Sequence, residues 1–175
     1  FLINKKMEGK LVAGYGAAIR YEQIFLLPIL GLNTAVLAIA GQNFGAKKFE
    51  RVGEVYNKAL LYGCTIMLFA GIIIYFTAEM AVSLFTNKEE VIKYGKTYLQ
   101  ITALMEPVFP IFFISNALLQ GIKKATYVMF LSMFRMVLLP LITLSFLILY
   151  LNSSFAYVFW GLLIINWIFG IFLFL

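Results

Sequence analysis

Two charged residues stand deep inside long apolar runs, and they are the first candidates for chemistry. Glu106 lies within the run 97–120 and Arg135 within 125–151. A charge at the middle of a membrane-spanning helix costs roughly 2.5–3.5 kcal/mol for Asp, Lys or Arg on insertion scales, so each one calls for a reason. Glu106 precedes Gly121 by 15 residues and Arg135 follows Lys124 by 11. At about 1.5 Å per residue these spacings become depths of about 22 Å and about 16 Å from one membrane face. Consecutive antiparallel helices would bring the two side by side, with a mismatch that long side chains and a kink at Pro107 can close. Two chemistries follow. Glu106 is either a titratable carboxylate that exchanges H⁺ or Na⁺, with Arg135 tuning it or binding substrate, or half of a permanent ion pair that holds two helices together.

The other polar side chains fall into two groups. Asn33, Gln42, Asn116 and Gln120 sit on the first and third apolar runs, together with Thr34, Asn43 and Ser115. They are candidates for lining a polar cavity, or for hydrogen bonds between helices. Arg20 and Glu22 stand two residues apart where the first run begins, so they point to different helix faces and are expected to be interfacial anchors.

Residue types that are absent limit the function further. The chain has no His and no Asp, and Cys64 is its one cysteine. This excludes haem ligation by His, His-based zinc sites, a Ser-His-Asp triad and a disulfide within the chain. Gly41-Gln42-Asn43-Phe44-Gly45 lacks the Gly-Lys-Ser/Thr ending of a phosphate loop, so ATP hydrolysis here is unsupported. No cofactor and no enzymatic activity are expected.

The elements that position these residues are membrane helices. Hydrophobic residues make up 63% of the 175, charged residues 13%, and mean hydropathy is +0.94. Soluble domains average about 45–50% apolar and about 25% charged. The net charge of +6 is held in short clusters between apolar runs, as in interfacial anchors, and not in a basic stripe that would read nucleic acid. Five runs reach the ~20 residues a spanning helix needs, at about 12–42, 59–78, 97–120, 125–151 and 155–175. The stretch 45–58 reads as a separate amphipathic helix lying at the interface. Pro28, Gly31, Pro107, Pro110 and Pro140 fall inside runs and fit kinked or broken helices. The fold class expected is therefore all-α, a polytopic transmembrane helix bundle. The chain opens without a Met and closes inside an apolar run, and is expected to belong to a longer protein.

Charge asymmetry gives an orientation. The 45–58 and 121–124 connections share one side and carry six Lys/Arg, against three in 79–96. The positive-inside rule makes them cytoplasmic, in a multi-pass protein of the plasma (inner) membrane. Two helix ends also look alike, Gly45-Ala46-Lys47-Lys48 and Gly121-Ile122-Lys123-Lys124. Either an internal repeat or two independent snorkelling Lys pairs would produce this.

Three blocks carry a family resemblance. They are Gly16-Ala17-Ala18-Ile19-Arg20-Tyr21-Glu22-Gln23, then Leu27-Pro28-Ile29-Leu30-Gly31, then Gly41-Gln42-Asn43-Phe44-Gly45-Ala46 with Phe49-Glu50-Arg51. In order and spacing they resemble the eighth helix of the multidrug and toxic compound extrusion (MATE) transporters and the loop after it. Leu118-Leu119-Gln120-Gly121 and Arg135 with Leu139-Pro140-Leu141 resemble the tenth and eleventh helices. The resemblance implies a partial carboxy-terminal lobe, helices eight to twelve, that pairs with an amino-terminal lobe of the same protein. It implies export of cationic or amphiphilic compounds across the bilayer in exchange for H⁺ or Na⁺. Some members carry an acidic residue on the tenth helix near the level of Phe109 or Pro110, where this chain has none, so coupling falls to Glu106 or to the other lobe. The alternatives are a lipid-linked oligosaccharide flippase of the same superfamily and a non-transporting membrane scaffold subunit.

Overall fold

The computed structural model describes residues 2–143, 145 and 155–174. The chain forms α1 (Leu2–Gly45), α2 (Phe49–Ser83), α3 (Glu89–Ala103), a 3₁₀ turn (Glu106–Val108), α4 (Phe109–Gly121), α5 (Ala125–Thr143) and α6 (Phe155–Phe174). Among the described residues every regular element is helical. Val12–Gly45, Phe49–Ser83 and Ala125–Thr143 are each long and apolar enough to cross a membrane. The pair Glu89–Ala103 and Glu106–Gly121, bent by 40°, makes a fourth crossing when taken as one broken span. The expected run 125–151 is described through Thr143 and at position 145; its other residues lie outside the described ones.

α1 is the central element and packs against α2, α3 and α4. Ala18, Glu22, Ile29, Val36 and Ala40 are buried at spacings of four and seven, the stripe that a 3.6-residue period turns to one side. α1 continues through Pro28 and Gly31 without interruption.

Two elements differ from the sequence-based expectation. The stretch 45–58 is not a separate interfacial helix: Gly45 ends α1, and one unbroken helix of 35 residues starts at Phe49 and runs to Ser83. Nothing between Lys58 and Leu60 ends a helix, and a break there would strand backbone carbonyls where water is scarce. The run 97–120, conversely, is broken. Pro107 has no N–H for the Ala103 carbonyl and Pro110 none for that of Glu106, so the helix gives way between them. Trp167 Nε1 of α6 donates to the freed Leu104 carbonyl at 3.0 Å. Gly71 of α2 is where the break fits: a Cβ there would stand 2.5 Å from the Ala103 oxygen and 3.4 Å from Glu106 Cβ.

The two similar helix ends are alike in atomic detail. Ala46, Lys47 and Lys48 donate backbone N–H bonds to the carbonyls of Gln42, Phe44 and Asn43. Ile122, Lys123 and Lys124 do the same to Leu118, Gln120 and Leu119. Lys47 and Lys123 both take positive φ, 58° and 64°. These are two Schellman ends, each followed at once by the next helix. They also meet, since a Cβ on Gly121 would lie 3.1 Å from Gly41 N. The α1–α2 and α4–α5 corners thus repeat one another.

Candidate functional site

Among the described residues, the interior of the bundle holds the ionisable side chains of Glu22, Tyr98 and Glu106, with Arg135 half-buried. Glu106 opens the 3₁₀ turn at the helix break, is 0% exposed, and neither carboxyl oxygen has a hydrogen-bond partner. Glu22 is buried on α1, and Tyr98 Oη of α3 donates to its Oε2 at 2.7 Å. Arg135 lies in a π-helical stretch of α5, Phe134–Leu138. Pro140 follows two residues later, and its missing N–H denies the Met136 carbonyl its usual helical donor, which a widened turn accommodates. The Arg135 guanidinium sits 4.0 Å from the Phe112 ring centroid, and its Nε donates to Asn166 Oδ1 at 3.0 Å.

Glu22 and Arg135 line one cavity of about 350 Å³, shared with Tyr98, Phe109, Phe113 and Asn166. It is thus bounded by α1, α3, α4, α5 and α6. An acid with a phenol partner and an arginine held over an aromatic ring face a common space. Tyr15, also on its wall, packs edge-on against Tyr98 with ring centroids 4.9 Å apart. This arrangement can take up a proton and bind an amphiphilic molecule through rings and charge together.

Two expectations are corrected here. Glu106 and Arg135 do not form an ion pair: Glu106 Oε1 and Oε2 are without partners, and Arg135 is held by Phe112 and Asn166. The helix break turns Glu106 toward Gly71 of α2, while the π stretch aims Arg135 at α4 and α6. Glu22 is not an exposed interfacial anchor either. It falls four residues after Ala18 on the buried stripe of α1, whereas Arg20 lies on an exposed face. Asn116 is buried and its Oδ1 has no partner, Asn33 is half-buried, and Gln42 and Gln120 are exposed. None of these four lines the cavity with Glu22 and Arg135.

Sequence reasoning missed Tyr98 and Asn166. Asn166 had a signal, being the one amide within the apolar run 155–175. Tyr98 had none, because its partner is 76 positions away.

Fold and site together define an α-helical membrane bundle with an ionisable interior. The MatE family model matches residues 2–147. A probable multidrug resistance protein YpnP of Bacillus subtilis (strain 168) is 26% identical over 111 residues, which is 63% of this chain and 25% of that protein. Among solved structures, a MOP superfamily transporter from Pyrococcus furiosus superposes with a TM-score of 0.87 at 23% identity, over 93% of this chain and 37% of its own. The MATE transporter ClbM, solved in complex with Rb⁺, superposes with a TM-score of 0.88 at 23% identity, over 94% and 38%. The chain belongs to the MatE family. It spans about a quarter of the curated relative and under two fifths of the solved structures.

Proposed function

We propose that this chain is the carboxy-terminal lobe of a secondary-active exporter of cationic or amphiphilic compounds, with the Glu22–Tyr98–Glu106 cluster taking up the coupling ion. One observation carries the reading: Glu106 is fully buried with both oxygens unpartnered, in a bundle that also buries the Glu22 carboxyl. An ionised carboxylate left so would cost several kcal/mol, so the site favours a bound proton or cation. We favour H⁺ over Na⁺, because a hard metal cation draws several oxygen ligands around it while a proton needs one. The cavity walled by Glu22, Arg135 and the aromatic rings is then the lobe's share of the substrate path. Gly45 and Lys123 corners face the cytoplasm in this reading, within the plasma (inner) membrane, and the amino-terminal lobe of the same protein closes the path.

The lipid-linked oligosaccharide flippase is the weaker reading. Arg135 is the one basic residue on this cavity's wall, where a polyanionic headgroup would call for several.

The test uses the full-length protein in proteoliposomes, with a cationic dye and imposed H⁺ or Na⁺ gradients. Glu106→Gln and Glu22→Gln are each expected to abolish export driven by ΔpH while dye binding persists. Wild-type rates in both variants would refute the assignment, and export driven by Na⁺ alone would refute the preference for H⁺.

A further inference from the structure

A second cavity, unrelated to the acid cluster, lies between α5 and α6. It measures about 810 Å³ and is lined by Tyr127, Phe130, Phe134, Leu138, Ile165 and Ile168, with four further apolar residues. Phe130 is 61% exposed and Ile168 62%, so the cleft is open along its side. Its walls meet where Phe134 packs on Phe169, ring centroids 6.3 Å apart.

One end of this cleft is basic. Tyr127 stands on its wall, and Lys124 Nζ lies 5.8 Å from the Tyr127 ring centroid. Lys123 precedes it at positive φ, and both lysines are exposed. From Tyr127 to Leu139 the wall runs 12 residues, or about 18 Å at 1.5 Å per residue. One leaflet's hydrocarbon is about 15 Å deep, half of the ~30 Å core.

The geometry points to a binding site for one anionic phospholipid, with an acyl chain in the α5–α6 cleft and its phosphate between Lys123 and Lys124. The depth matches a single leaflet, the wall is apolar throughout its length, and the charge stands at one end only. Bulk lipid would wet any exposed helix face. A cleft narrowed by Phe134 against Phe169, with Lys124 over Tyr127 at one end and Lys123 next to it in the chain, selects for charge because the phosphate has a preferred place. Polybasic segments gain about 1 kcal/mol per lysine near an anionic surface, which is roughly fivefold each.

The experiment places p-benzoylphenylalanine at Phe130 in the full-length protein, in nanodiscs of equal phosphatidylglycerol and phosphatidylcholine. After irradiation, intact mass spectrometry reads the adduct. The expected product carries one phosphatidylglycerol, in preference to phosphatidylcholine. In Lys123→Gln/Lys124→Gln the preference falls by roughly 25-fold, two lysines at about fivefold each. Leu138→Trp, which fills the cleft, lowers total lipid adduct while leaving the lysines in place. Equal capture of the two lipids by the wild type would overturn the proposal. So would a crosslink to another part of the same polypeptide, which would show that protein covers the cleft. Neither result bears on the role of Glu106, which this site does not contain.

Discussion

Replacing Gly71 by Ala tests the contact that seats the helix break. A Cβ at position 71 would stand 2.5 Å from the Ala103 carbonyl oxygen, about 0.9 Å inside ordinary van der Waals contact. The obstacle is backbone, so the strain cannot be relieved by a rotamer change. Either α2 moves away from the break or the break closes, and forced shifts of this kind typically cost about 1–3 kcal/mol. Ala also improves on Gly in a helix by up to about 1 kcal/mol, which works in the opposite direction. Gly53→Ala in the same helix isolates that gain, since nothing lies within 4 Å of its Cβ site. Gly53→Ala should therefore raise stability and Gly71→Ala lower it, the two differing by about 1–3 kcal/mol. Equilibrium unfolding of the full-length protein in mixed micelles measures both. Because Glu106 Cβ lies 3.4 Å from the new methyl position, Gly71→Ala should also reduce ΔpH-driven export, which Gly53→Ala should leave alone. If both substitutions stabilise by similar amounts, the close approach of α2 to the break is wrong.

Two further outcomes follow from the same contacts. Lys47 and Lys123 hold left-handed φ, so Gly at either position should be about 1 kcal/mol more stabilising than Ala at that position, the charge being lost in both. Equal unfolding midpoints for the Gly and Ala variants would refute the Schellman geometry. Tyr98→Phe removes the donor to Glu22 and should cost about 1–3 kcal/mol by leaving a buried acceptor unpaired. A double-mutant cycle with Glu22→Gln should show coupling, and strict additivity would mean that the two side chains do not meet.

The helical class is legible because apolar run length is a one-dimensional quantity. Azimuth is not. The place of Glu22 near the start of a run points to the interface, whereas its spacing from Ala18, Ile29 and Val36 puts it on the buried stripe. The partners of Arg135 were hidden for a related reason. Its π stretch re-aims the side chain by a fraction of a turn, and no residue pattern reports that rotation except Pro140, whose effect was read as a kink. The interfacial helix at 45–58 failed differently. Its charges mark a polar stretch, but polarity does not say where a helix ends.

The repeated corners show how one plan yields two different helices. α1 and α4 both end in a Schellman turn with a left-handed lysine, and both hand over to the next helix without a side-chain cap. Upstream of the turn they diverge. α1 carries the single Pro28 and stays continuous, because one missing N–H strands one carbonyl, that of Ile24, in a helix otherwise intact. The α3–α4 unit carries Pro107 and Pro110, three apart, which deny the carbonyls of Ala103 and Glu106 their usual helical donors within about one turn, and the Phe109 N–H meets the Glu106 carbonyl in a 3₁₀ bond instead. Losing two helical bonds so close together costs more than a bend, and the chain unwinds into a 3₁₀ turn, where Val108 N–H turns to Met105 and Trp167 meets the Leu104 carbonyl left behind. The unwound residue that faces inward is Glu106.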